Sequence, residues 1–167
     1  AGRLEHGDSM GNRGVIAAGE VQRMTAGTGV LHSEMNNSSD TPAHLLQIWV
    51  SPAKRRYPPS YEQRPLPAAR DGLVVVVHPA GKDGAIVLHQ DAYMLLGNLD
   101  AGKSVSYSVA SGGVGRGVYA FIVDGEGLIN GTALGAADAL AVSDEMMLRI
   151  VASTAARMLL LDIPLHQ

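Results

Sequence analysis

Cysteine is absent from the 167 residues of this chain. Its absence excludes disulfides, thiolate nucleophiles and cysteine-based zinc sites, and it is compatible with a reducing cytoplasm, where we expect the protein to act. Aromatic residues are scarce, at 4%, so the hydrophobic core must be built mainly from Val, Leu, Ile, Met and Ala. No apolar run approaches the ~18 residues of a membrane span, so we expect no membrane partner.

Positive charge is also in short supply. The formal net charge is −3, and the longest basic run is Lys54-Arg55-Arg56. A protein that binds nucleic acid directly usually presents a positive face. The composition therefore argues against direct nucleic-acid binding.

The pattern of apolar residues predicts an all-β fold. Short runs rich in Val, Ile and Leu alternate with Gly, Asp, Asn and Pro almost throughout, which is typical of strands and turns. The dipeptides Asp124-Gly125 and Asn130-Gly131 predict two-residue hairpins, and the glycine-rich segment 111–117 predicts a further hairpin connection. The predicted strands are 3–6, 21–24, 45–50, 73–78, 85–90, 93–99, 105–110, 118–123, 127–130, 140–142, 146–152 and 157–163.

A proline-rich stretch, 51–67, predicts a boundary between two domains, because prolines at this density interrupt sheet ladders. Segments 18–24 and 136–142 on its two sides resemble each other faintly. Two copies of one antiparallel unit are the simplest account, and such units usually close into double-sheet rolls or barrels. We therefore predict one domain over 1–67, including the connector, and a second over 68–167.

The run 25–36 holds the strongest candidate for chemistry. It places His32 and Glu34 two residues apart after a glycine-rich turn. If the segment is extended, both side chains point to one face, and imidazole with carboxylate suits a divalent metal such as Fe(II). Two ligands do not complete a site, and an ordinary surface pair is the alternative interpretation of these residues.

Several segments in fixed order resemble one known family. The second motif of cupin barrels resembles the pattern formed here by Gly19, Gly27, His32 and Asn36. In detail, the amino-acid sequence is similar to that of the pirins and pirin-like bacterial proteins. The similar segments are 7–36 (GDSMGNRGVIAAGEVQRMTAGTGVLHSEMN), 44–52 (HLLQIWVSP), 61–64 (YEQR) and 83–94 (DGAIVLHQDAYM).

The resemblance implies an all-β bicupin, two antiparallel double-sheet barrels, with the first barrel incomplete in this chain. It also implies a metal, Fe(II) or another divalent ion (Mn, Ni, Cu, Zn or Co), held by four protein ligands. His32 and Glu34 match the third and fourth. The first two belong to a His-Pro-His-type motif upstream of His6 that this sequence does not contain, so we expect an incomplete metal site.

Three further residues are candidates for lining the cavity: His6, Met24 and Met35. For the two methionines, the filling of gaps in the core remains an open alternative. Trp49 lies in the apolar run 45–50, where we expect core packing instead of contact with a substrate.

The resemblance implies a flavonol 2,3-dioxygenase acting on quercetin-like small molecules. In that role Glu34 is the catalytic residue that takes the proton of the substrate hydroxyl, and we expect little or no turnover by this chain. The alternative is a redox-responsive regulatory binding protein, a partner of transcription factors or metabolic enzymes. Sugar-phosphate isomerisation or ligand sensing fits less well, because YEQR and LHQD are not features of those groups.

Overall fold

The computed structural model describes residues 1–67 and 71–165. Its contacts divide the chain into two compact units, Ala1–Leu66 and Pro67–Gln167, which are described separately here. The predicted domain boundary adjoins residues 68–70, which lie outside the described residues, as do 166 and 167. Helix in the described residues is limited to two short 3-10 turns, Lys82–Gly84 and Ala110–Gly113, and no described helix is long and apolar enough to cross a membrane.

The first unit consists of two small antiparallel sheets. One has three strands in the order β2-β1-β4, and the other pairs β3 with β5. The strands are β1 (Arg3–Asp8), β2 (Arg13–Ala17), β3 (Glu20–Thr25), β4 (His32–Asn36) and β5 (Ser60–Pro65).

Asp8 closes the hairpin between β1 and β2. Its Oδ1 accepts hydrogen bonds from the backbone amides of Met10 (2.9 Å) and Asn12 (3.0 Å), and its Oδ2 accepts one from Asn12 Nδ2 at 2.8 Å. An aspartate that satisfies the backbone two and four residues later is a strong local turn former. The turn thereby fixes the register in which β1 and β2 pair.

The second unit is a sandwich of two sheets. The larger has the strand order β13-β10-β15-β8-β6-β7, and the smaller has the order β12-β11-β14-β9. The strands are β6 (Gly72–His78), β7 (Ile86–Val87), β8 (Tyr93–Leu99), β9 (Ser104–Ser108), β10 (Arg116–Asp124), β11 (Gly127–Ile129), β12 (Thr132–Leu134), β13 (Ala139–Ser143), β14 (Met147–Ala152) and β15 (Ala156–Pro164).

The core of the second unit lies between its two sheets. Alternate residues of strands in both sheets are fully buried, among them Ile122, Ile150 and Leu160, each 0% exposed. In β9, Val105 and Tyr107 pack against this core while the serines beside them are exposed, which is the alternation expected of a strand with one face in the core. The core contains aliphatic residues and methionine, as the low aromatic content requires.

A buried ion pair joins β10 to β15 at one end of this sandwich. Arg116 is 3% exposed and Asp162 0%, and Arg116 Nε donates to Asp162 Oδ1 at 2.5 Å. Asp162 Oδ2 accepts from the Tyr107 hydroxyl at 2.7 Å and from the Ala110 amide at 2.9 Å. Burial and the hydrogen bond to Asp162 raise the pKa of Tyr107, so its hydroxyl remains a donor at physiological pH. The network ties the turn before β10 to the core.

The second unit offers a matched pair of glycine substitutions. Gly125 has φ +80°, and a Cβ there would lie 2.1 Å from the carbonyl oxygen of Ala155, whereas Gly131 has φ +84° with nothing within 4 Å. Both alanine variants carry the left-handed backbone cost, so we expect Gly125→Ala to lose about 1–3 kcal/mol more stability than Gly131→Ala, through overpacking. Urea unfolding of the two variants measures this difference. Equal losses would show that the loop at Ala155 yields to the added methyl group.

Most predicted strands are confirmed, including 3–6, 21–24, 73–78 and 93–99. Asn130-Gly131 forms the predicted hairpin, because β11 and β12 pair directly across it. Asp124-Gly125 does not, since β11 pairs with β12 and β14 and not with β10. The prediction for 111–117 is also wrong, because β9 and β10 belong to different sheets and the segment connects them.

Two predictions around the connector are wrong. Segment 45–50 forms no strand, since it pairs with none of the described strands, and Trp49 is 87% exposed. Conversely, the proline-rich stretch contains β5, which pairs with β3 over its full length. Of the predicted strand 85–90 only Ile86–Val87 forms a strand, in parallel pairing with β6.

Candidate metal centre

Four polar side chains share one face of the sheet β2-β1-β4. In the antiparallel register, His6 lies opposite Glu34 and Asp8 lies opposite His32. Directly opposed residues point to the same side of a sheet, as do residues two apart in one strand. His32 and Glu34 are therefore on a common face, as the extended interpretation of this segment requires, and β1 adds a histidine and an aspartate beside them.

His6 is the buried centre of this group, with 1% exposure. Its Nε2 lies 3.4 Å from Asp8 Oδ2, and its Nδ1 lies 3.8 Å from Glu34 Oε1. The ring stacks on Tyr61 at 4.5 Å between centroids and lies 6.0 Å from the ring of His32. Nδ1 is buried without a hydrogen-bond partner among the described residues, so His6 has one polar atom aimed at the group.

Asp8 both stabilises the turn between β1 and β2 and contacts His6 in the candidate site. Desolvation acts to raise the pKa of Asp8, but hydrogen bonds from Asn12, His6 and Met10 outweigh it and hold that pKa below its usual value. The carboxyl group is therefore ionised at neutral pH. A fixed negative charge next to Nε2 anchors one edge of the His6 ring.

Glu34 is held from the facing sheet. Its side chain is 20% exposed, and Gln22 Nε2 of β3 donates a hydrogen bond to Glu34 Oε1. Gln22 Oε1 is buried and has no hydrogen-bond partner in the described part of the chain. One oxygen of the carboxylate is thus engaged by a neutral amide donor.

Tyr61 of β5 covers the other side of His6. Its hydroxyl donates to Gln63 Oε1 at 2.9 Å. Burial, and then the charges of Asp8, Glu34 and Glu20, raise the pKa of Tyr61. The group therefore remains a neutral phenol that packs against the imidazole.

The donors present suit a divalent metal in type but not in number. His32 and Glu34 supply an imidazole and a carboxylate on one face, and His32 is exposed. No set of three His, Cys, Asp or Glu side chains in residues 1–67 and 71–165 is arranged to hold a metal ion. The described residues therefore fit as two ligands of a metal site, not as a complete one.

The other two residues predicted to line the cavity, Met24 and Met35, differ in where their side chains point. Met24 lies on the same face of β3 as Gln22 and opposite Tyr61, towards the polar group. Met35 follows Glu34, so it points to the opposite face of β4, and it is 61% exposed. Because side chains alternate along a strand, Met35 points away from the cavity that it was predicted to line. A shallow open depression of about 290 Å³ lies beside His32 and Leu31.

Sequence reasoning missed Asp8, Gln22 and Tyr61. The available signal was the alternation in β3, which places the polar residues Glu20 and Gln22 on the same face as Met24, a residue predicted to line the cavity. Their significance depends on the pairing of β3 with β5 and on the facing sheet, which no local pattern shows. The contact of Gln22 with Glu34 joins residues 12 positions apart, and that of Tyr61 with His6 joins residues 55 positions apart.

Comparisons with known proteins cover nearly all of the chain. Residues 75–163 match the family described as the quercetinase C-terminal cupin domain, and residues 1–50 match the family described as pirin. A protein of Escherichia coli K12 named quercetin 2,3-dioxygenase is 39% identical over 163 residues, which are 98% of this chain and 69% of that protein. A putative quercetin 2,3-dioxygenase of Pseudomonas aeruginosa is 36% identical over 165 residues, 97% of this chain and 69% of that protein.

Two solved structures have nearly the same backbone. The crystal structure of YhhW from Escherichia coli matches with a TM-score of 0.92 and 39% identity, covering 98% of this chain and 68% of that one. The structure of bacterial pirin YhhW in complex with nickel(II) matches with a TM-score of 0.91 and 38% identity, covering 98% and 69%.

Proposed function

Because the chain belongs to the pirin family of all-β bicupin proteins, we propose that it acts as part of a metal-dependent flavonol 2,3-dioxygenase. The observation that carries the proposal is the placement of His32 and Glu34 on one face, beside the buried His6. Relatives named quercetin 2,3-dioxygenase support a quercetin-like substrate.

His32 and Glu34 are the two side chains that would hold the metal, through an imidazole nitrogen and a carboxylate oxygen. We propose Fe(II) or another divalent ion, and the nickel(II) complex of the related pirin is compatible with that range. When bound, such an ion supplies a Lewis acid that polarises a hydroxyl group of the substrate. Mixed nitrogen and oxygen ligands suit several first-row metals, so the residues alone do not select one.

Glu34 has a second role in this proposal, as the group that accepts the proton of the flavonol hydroxyl. Its carboxylate is partly exposed, which gives a small molecule access, and one oxygen is steadied by Gln22. A base must lie within hydrogen-bond reach of the proton that it takes. The exposed His32 ring lies on the same face and would help Glu34 to hold the ion.

With two ligand side chains, the chain is expected to bind metal weakly. We predict no flavonol-dependent oxygen uptake above background at one equivalent of Ni²⁺ or Fe²⁺, and slow, saturable uptake with CO release when the metal is in large excess. An oxygen electrode and a CO assay with quercetin measure both quantities. His78→Ala, a change in the second unit, serves as a control for His32→Ala, which should abolish the uptake.

Failure of uptake at every metal concentration, with quercetin shown to bind, would contradict the enzymatic proposal. Such a result would favour the regulatory binding role expected as the alternative. One tightly bound metal ion per chain, with full turnover, would show instead that ligands beyond His32 and Glu34 complete the site.

A further inference from the structure

We propose that Gln22 is a positioning residue for Glu34: its side-chain amide fixes one carboxylate oxygen and so sets the direction in which the other is presented. The inference rests on the proposed function, because the orientation matters for proton transfer and metal binding at Glu34. Gln22 has no contact of its own with a substrate in this proposal and acts through the carboxylate alone.

The placement of Gln22 is fixed by the pairing of β3 with β5. Gln22 lies directly opposite Gln63, so both amides are on the face that meets the sheet β2-β1-β4. Their roles differ. Gln63 Nε2 donates to the carbonyl of Val15 in β2 at 3.1 Å, which joins the two sheets, and to Glu20 Oε2 of the neighbouring strand β3 at 3.0 Å. Gln22 extends to Glu34 instead.

The hydrogen bonding of Gln22 is one-sided. Its Nε2 donates to Glu34 Oε1, while its own Oε1 is buried without a partner among the described residues. A glutamine that serves only to join two sheets is expected to have both ends of its amide satisfied, as Gln63 has. The bond from Gln22 to the carboxylate is therefore its distinguishing contact.

The hydrogen bond from Gln22 makes the two carboxylate oxygens of Glu34 different from each other. Oε1 is the atom that Gln22 holds, and it is also the atom that lies 3.8 Å from His6 Nδ1. Oε2 has no hydrogen bond from any described residue, which leaves it available to a proton or a metal ion. Glutamate loses considerable rotamer freedom when it is fixed, and a side chain that is already fixed does not incur this loss during the reaction.

The first test uses NMR of the metal-free, isotope-labelled full chain. We expect the side-chain amide protons of Gln22 to exchange with solvent at least 10-fold more slowly than an exposed glutamine, and this protection to disappear in Glu34→Met. In Gln22→Met, the carboxyl ¹³C resonance of Glu34 should shift and broaden. Gln63→Met is the matched control, because it should lower the unfolding midpoint and leave the Glu34 resonance in place.

The second test separates positioning from stability. Support of a ligand by a neighbouring group typically contributes 10–100-fold in metal affinity or activity, so Gln22→Met should lower kcat or the Ni²⁺ affinity by that factor with a change in KM below about 3-fold. Unaltered Gln22 amide exchange in Glu34→Met would overturn the inference, whatever the activity. Protected exchange with no flavonol turnover in the unmodified chain at any metal concentration would overturn the proposed function and support the placement of Gln22.

Discussion

Glu34→Gln is expected to lower flavonol turnover by at least about 100-fold, which is the lower range of what a positioned acid or base contributes. The glutamine keeps the shape of the side chain and an oxygen that can bind a metal, so part of the metal affinity should remain. It cannot take a proton from the substrate hydroxyl at neutral pH. An oxygen electrode with excess Ni²⁺ and quercetin measures the slow rate, and calorimetry with Ni²⁺ alone measures the affinity.

Glu145→Gln provides the control for this substitution. Glu145 lies in the second unit, after β13, and it is exposed. The same chemical change there should leave turnover unaffected. Wild-type rates in Glu34→Gln would defeat the role of Glu34 as a base, and a complete loss of both rate and affinity would reduce that role to metal ligation.

Asp162→Ala is expected to destabilise the second unit by about 3–5 kcal/mol, because removing one partner of a buried ion pair leaves the other charge uncompensated. The substitution removes the carboxylate from Arg116, which is 3% exposed, and the acceptor from the Tyr107 hydroxyl and the Ala110 amide. Asp91, which accepts from Arg116 Nη1 at 2.7 Å, is 56% exposed and compensates only in part. Urea unfolding measures the loss.

The ion pair between Arg157 and Asp124 is the matched control, since it joins neighbouring strands of the same sheet. Its side chains are 65% and 53% exposed. Exposed pairs contribute little, so Asp124→Ala should shift the unfolding midpoint far less than Asp162→Ala. Similar shifts for the two variants would show that the buried network contributes no more than a surface pair.

The all-β fold class and most strands of the second unit follow from the sequence, because their apolar residues alternate and their turns carry Asn-Gly or glycine. The resemblance to pirins predicts the family, and the comparisons confirm it together with the bicupin class. Residues 45–50 and 60–65 show where pattern reasoning fails. An apolar run becomes a strand only when it has a partner edge, and a proline-bearing segment can pair when its proline lies at the end, as Pro65 does.

The candidate site was accessible to sequence reasoning only in part. His32 and Glu34 form a local motif, and spacing alone predicts that they share a face. Gln22 reaches Glu34 from another sheet, and His6 is buried against Tyr61, 55 residues away. Such contacts depend on how two sheets face each other, and no window of neighbouring residues contains that information. The position of Met35, by contrast, could have been predicted locally. Side chains alternate along a strand, so Met35 points to the face opposite that of Glu34.

The position of β15 has a consequence for how the protein is made. This strand, Ala156–Pro164, lies in the middle of the six-stranded sheet between β10 and β8, and it contributes Met158 and Leu160 to the core. During synthesis, β8 and β10 emerge from the ribosome tens of residues before the strand that joins them. The facing edges of β8 and β10 therefore stay unpaired until β15 has left the ribosome. Slow or interrupted synthesis of β15 would leave those edges exposed to aggregation.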